Sequence, residues 1–93
     1  MRAKVWRYGG EAAWYFIAIP KKQSVEIKAQ FGAQHRGWGS LPVDVSIGAT
    51  AWKTSIFYDK RSAAYLLPLK SEVRKKEGIA DEHVVNFSLR IRI

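Results

Sequence analysis

A strand that runs directly into a lysine-containing helical stretch occurs twice in this chain, and this duplication most constrains the fold. The first copy reads Tyr15-Phe16-Ile17-Ala18-Ile19-Pro20-Lys21, and the second reads Tyr65-Leu66-Leu67-Pro68-Leu69-Lys70-Ser71. Each starts with Tyr, repeats aliphatics at the same offsets and contains one Pro and a Lys. Each then leads through a helical stretch to a glycine, Gly32 or Gly78. A strand–helix–strand unit used twice can close on itself as a small pseudo-symmetric barrel, which removes the exposed strand edges that invite aggregation.

The stretches between the copies are consistent with that closure. Ala3–Tyr8 reads as a first strand, with Ala3 and Val5 opposite Lys4 and Trp6. Gly9-Gly10-Glu11 signals a turn. Ala13–Ile19 is an apolar run of strand length that Pro20 stops. Ser24–Phe31 reads as a helix with Gly32 at its C-terminal stop. Pro42–Ile47 alternates, and Gly48-Ala49 makes a tight reversal into Thr50–Asp59, so these residues form a β-hairpin. A polar turn at Asp59–Ser62 leads to strand Ala64–Lys70. Ser71 is placed to cap a short helix that has Glu72 in its first turn and Arg74, Lys75 and Lys76 towards its end, before Gly78. The last strand, His83–Ile93, sets Val85, Phe87, Leu89, Ile91 and Ile93 against Asn86, Ser88, Arg90 and Arg92. The expected fold is mainly β: a closed or nearly closed six-stranded barrel with two short helices and pseudo-duplicated ββαβ halves, in one domain spanning residues 1–93.

Composition narrows the function classes. The chain has no Cys, which excludes disulfides, thiolate metal sites and a cysteine nucleophile, and fits a reducing, cytoplasmic setting. The N-terminus lacks the apolar run of a signal peptide, and no segment reaches the roughly 20 apolar residues of a membrane span. Sixteen Lys and Arg against eight Asp and Glu give a formal charge of +8, a field that attracts polyanions such as nucleic acid. A dispersed, solvated basic surface gives the same total.

The motifs Gly37-Trp38-Gly39-Ser40-Leu41-Pro42-Val43, Thr54-Ser55-Ile56-Phe57, Tyr65-Leu66-Leu67-Pro68-Leu69-Lys70 and Val73-Arg74-Lys75 together resemble the domain-of-unknown-function family nineteen-oh-five. The stretch Trp14-Tyr15-Phe16-Ile17-Ala18-Ile19-Pro20 is similar to that family's early strand, and the resemblance covers nearly the whole chain. It implies a small split β-barrel with two helices, found alone or beside a helical domain associated with bacteriocin protection; no such second domain is expected here. The family's usual Gly-Asp before the last strand is replaced by Asp81-Glu82-His83, which bears on that turn's geometry. The family brings no established catalytic residues, so the resemblance implies none here. Its barrel is similar, at the level of fold alone, to the swapped-hairpin barrels of some DNA-binding regulators.

No catalytic or metal constellation emerges from the residues. His35 and His83 have no partner in a metal-ligand spacing, and no cofactor is expected. Ser40, Ser46, Ser55 and Ser88 lack a nucleophile-elbow setting, and Asp44 and Asp59 occupy strand or turn positions. The expectation is a non-enzymatic binding or interaction module, with nucleic-acid binding and a small anionic or aromatic ligand at the barrel mouth as alternatives. The candidate binding residues are Arg36 and Trp38 in one loop, Lys60 and Arg61 at a hairpin tip, and Arg90 and Arg92 on the last strand. Trp38 either stacks a ligand or folds inward to plug the barrel, and aromatic burial favours the plug. Trp14 and Trp52 are expected in the core, while Trp6 shares a face with Lys4. A strand edge or an exposed aromatic patch would also suit homodimerisation.

Overall fold

The computed structural model describes residues 1–9, 14–35 and 39–92. These residues form strands β1 (Arg2–Tyr8) and β2 (Trp14–Ala18), helix α1 (Lys21–Phe31), the hairpin β3 (Ser40–Ile47) and β4 (Thr50–Asp59), strand β5 (Ala64–Pro68), helix α2 (Ser71–Glu77), and strands β6 (Val84–Asn86) and β7 (Ser88–Ile91). The sheet order is β6-β1-β2-β5-β4-β3-β7. The two outermost strands are consecutive in the chain. β6 pairs with β1 and β7 pairs with β3, so one bent segment joins both edges and nearly closes the barrel. The expected sixth strand is therefore divided at Phe87, which makes seven. Phe87 is buried and donates its backbone N–H to Met1 O at 2.8 Å, out of line with β7's own partners.

The duplication appears as pseudo-two-fold symmetry. The strands that carry the two copies, β2 and β5, pair antiparallel, with Ile17 opposite Leu67, and these are equivalent positions of the repeat. The flanking bonds match: Ile19 N donates to Tyr65 O, and Leu69 N donates to Tyr15 O, both at 2.8 Å. Around this axis lies the core. Val5, Ile17, Ile19, Leu41, Val43, Val45, Ile47, Ile56, Tyr65, Leu67, Leu69, Val73, Val85 and Phe87 are all buried and packed together. The alternation of β3 is fully expressed, because Leu41, Val43, Val45 and Ile47 are inside and the residues between them are half-exposed.

Several element ends differ from expectation. Helix α1 begins at Lys21 rather than Ser24, because Ser24 N already donates to Pro20 O at 2.9 Å. Gly32 is right-handed at φ −57°, so the chain continues into a 3₁₀ turn, Gly32–Gln34, instead of stopping. Gly78 does take the left-handed cap at φ 63°. Ser71 is the first helical residue, not the cap: Lys70 holds that position, and no side chain caps the helix. Glu82 adopts φ 67°, the region glycine favours, in the turn that leads into β6. No helix among the described residues is long and apolar enough to cross a membrane.

Candidate functional site

The pairing of β4 with β5 covers only Phe57–Asp59 against Ala64–Leu66. The rest of β4 stays with β3, whose register runs on to Thr50. Meanwhile β5 follows β2 and turns into α2. The two strands part, and a cleft of about 420 Å³ opens at the split. Trp52, Thr54 and Lys53 line it from β4, Trp14 and Tyr15 from β2, and Pro68, Leu69, Lys70, Ser71 and Arg74 from β5 and α2.

Arg74 organises the cleft. Its guanidinium carbon lies 3.8 Å from the centroid of the Tyr15 ring, a cation–π contact. Its Nε donates to Leu69 O at 3.2 Å, and among the described residues its terminal nitrogens make no further hydrogen bond. Lys53 forms no ion pair among the described residues. Lys70 has only a loose, exposed partner, Glu72, at 3.8 Å. The lining therefore includes three aromatic residues and three basic ones, with Arg74 and Tyr15 in direct contact. The lining also carries the hydroxyls of Tyr15, Thr54 and Ser71, and flat rings beside cations can hold a planar anion.

By the repeat, the position equivalent to Arg74 is Ser24, on the other side of the pseudo-axis. The Ser24 hydroxyl is buried, donates to Ile19 O at 3.0 Å and accepts from Tyr65 N at 3.1 Å, so it is inserted into the β2–β5 ladder. Nearby, His35 Nε2 and the Tyr65 hydroxyl lie 2.6 Å apart, the Tyr58 ring packs edge-on against Tyr65, and Lys28 Nζ sits 3.8 Å over Tyr58. Burial and then Lys28 lower the His35 pKa, while burial and then Tyr58 raise that of the Tyr65 hydroxyl. The serine half keeps a smaller hollow of about 290 Å³ beside Lys28 and Tyr58, and the other half opens wider around an arginine.

Of the residues expected from the sequence, the four that are described fall in two places, the β4–β5 tip and the last strand. Arg36 and Trp38 lie outside the described residues. Arg61 and Lys60 are at the β4–β5 tip, where Asp59 accepts from Ser62 Oγ at 2.7 Å and from Arg61 N at 3.3 Å. The Ser62 bond is the main reason that the Asp59 carboxyl is held below its ordinary range. Arg90 and Arg92 converge on Asp44. Arg90 Nη2 donates to Asp44 Oδ2 at 2.9 Å, and Arg92 Nε lies 3.4 Å from Oδ1 without a hydrogen bond. Asp44 partly neutralises this row, which is therefore no free basic stripe.

Trp14 corrects an expectation: it is 63% exposed rather than in the core, because its strand turns Ile17 inward and the alternate positions outward. Trp52 is half-buried against the core and also lines the cleft. Sequence reasoning missed this site. The only signal for it was the Arg at the repeat position where the first copy has Ser.

A nearly closed barrel of seven strands with two helices and a cleft where β4 leaves β5 defines a small split β-barrel. The chain belongs to the family described as Domain of unknown function (DUF1905), whose model matches residues 2–89. No curated protein matches it.

Proposed function

We propose that the domain is a non-enzymatic binding module whose ligand seat is the cleft at the barrel split. The ligand is a small molecule with a planar unsaturated body and a carboxylate or phosphate. The observation that carries this reading is the meeting of Trp14, Tyr15 and Trp52 with Lys53, Lys70 and Arg74 around one cavity. Pockets of this kind take most of their affinity from apolar contact and their orientation from a few polar groups. The absence of Cys supports a cytoplasmic location.

The test is titration of adenosine 5′-monophosphate and of benzoate, followed by tryptophan fluorescence, since two of the rings in the cleft are indoles. Saturable quenching is expected. Arg74→Ala should weaken it roughly ten-fold, the scale of a lost charge-assisted contact. Lys22→Ala, exposed on α1 and outside the cleft lining, should leave it unchanged. Equal responses from wild type and Arg74→Ala, or no saturable response to either probe, would remove the cleft as a ligand seat.

A further inference from the structure

The outer face of β1, β2 and β5 carries large aromatic groups that the core does not use. Val5 and Ile17 point inward, so Trp6, Tyr8, Trp14 and Phe16 point out. The register sets Trp6 opposite Phe16 and Tyr8 opposite Trp14. Phe16 in turn faces Pro68, and Leu66 faces Phe57. Trp6 is 50% and Tyr8 73% exposed, and the Trp14 and Phe16 rings lie within 8° of parallel at 6.4 Å. A shallow groove of about 520 Å³ runs along Trp6, Tyr8, Phe16 and Leu66 to Arg61. Contiguous apolar surface of this kind on a charged domain marks an interaction face.

Cations flank both ends. Lys4 Nζ lies 4.7 Å over the Trp6 ring and 3.5 Å from the exposed Glu82 carboxylate, and Arg61 sits at the hairpin end, where the Asp59 carboxylate, itself in the groove lining, is engaged by the turn. At the other end Trp14 opens into the cleft with its Lys53, Lys70 and Arg74. A net charge of +8 opposes the approach of a second copy to this face and favours a polyanion. A duplex keeps its bases inside the stack. A single strand can lay its bases on flat rings while the flanking cations hold its phosphates.

We infer that this face is a stacking platform for single-stranded nucleic acid, running from Arg61 across Trp6, Phe16 and Trp14 into the cleft. The inference shares the cleft cations with the ligand seat proposed above and rests on that reading at this end only. Bases stack on Trp6 and Phe16, and the strand is held without sequence preference, since every base has a flat face.

The experiment is fluorescence anisotropy with labelled oligothymidylate and oligouridylate of about 12 nucleotides. It is run against a duplex of equal length over a salt series starting near 50 mM. Saturable binding of the single strands is expected, roughly ten-fold tighter than of the duplex. The double variant Trp6→Ala/Phe16→Ala should lose roughly ten-fold or more in affinity. Its fold is checked by circular dichroism; should it fail to fold, Trp6→Phe and Phe16→Leu, taken singly, must each show a smaller loss. Lys53→Glu/Lys70→Glu/Arg74→Glu should flatten the slope of log affinity against log salt by about 2. Duplex binding as tight as single-strand binding overturns the platform, as does wild-type affinity in the folded aromatic variants. A dimer seen by light scattering that dissolves on Trp6→Ala/Phe16→Ala also overturns it, because the face then belongs to a second copy. If the oligonucleotides fail while adenosine monophosphate or benzoate still titrates the cleft, the platform falls and the ligand seat stands.

Discussion

Ser24 shows how much one small side chain can determine. An antiparallel pair normally exchanges two backbone bonds, yet between Ile19 and Tyr65 only one is direct, and the Ser24 hydroxyl bridges the other. Ser24→Ala leaves the Tyr65 N–H and the Ile19 carbonyl buried without that bridge. The expected loss is about 1–3 kcal/mol, measured by urea unfolding; a change below about 0.5 kcal/mol would show that the bridge is dispensable. His35 supplies the second residue-scale prediction. Its folded pKa lies below the ordinary 6.5, so the unfolded chain takes up the proton first. Stability is therefore complete above about pH 6.5 and declines as the pH falls from there towards the depressed folded pKa. Melting temperatures measured across this window should fall with acidity in the wild type and less steeply in His35→Gln; parallel slopes would assign the acid sensitivity elsewhere. Neither role was legible in the sequence. Ser24 read as the start of a helix, and His35 meets Tyr65 across 30 residues of chain.

At the scale of elements, signals held where they depend on neighbours in the chain. The β3–β4 hairpin turns at Gly48, left-handed at φ 56°, as its alternating arms require. Helix α2 has Glu72 in its first turn, Arg74, Lys75 and Lys76 in its last, and Gly78 left-handed beyond it. Gly32 carried the same signal in a different setting. Glycine adopts right- and left-handed backbone equally readily, so its presence allows a helix stop without forcing one. The run Ala13–Ile19 is apolar on both faces, which removes the period-2 signal that separates inside from outside. Trp14 was therefore indistinguishable from a core residue until β1 and β5 were seen on either side of β2. The last strand has a period that never falters across Phe87, and the alternation says nothing of the point at which it changes partners.

Closure is a property of the whole molecule, and it turns on Phe87. This buried ring sits where the chain leaves β1's edge for β3's edge. Phe87→Ala should cost about 3–5 kcal/mol, because it both creates a cavity and loosens the segment that pairs with the two sheet edges. A domain of this size commonly holds a total of about 5–15 kcal/mol. Thermal unfolding followed by circular dichroism should show a large fall in midpoint; a shift of only a few degrees, equivalent to about 1 kcal/mol or less, would mean that closure does not depend on this residue. The repeat, the alternating strands and their turns determined by themselves that the chain makes a mainly β barrel of two like halves, and that Val43, Val45, Ile47, Val85 and Phe87 face inward. These properties follow from side-chain direction and backbone preference within a few residues. Tertiary structure alone decided which face of β2 meets water, that β4 leaves β5 beside Arg74, and that Arg90 and Arg92 are drawn to Asp44. Each of these is settled by groups distant in sequence, whose burial and charge act only once the sheet has brought them together.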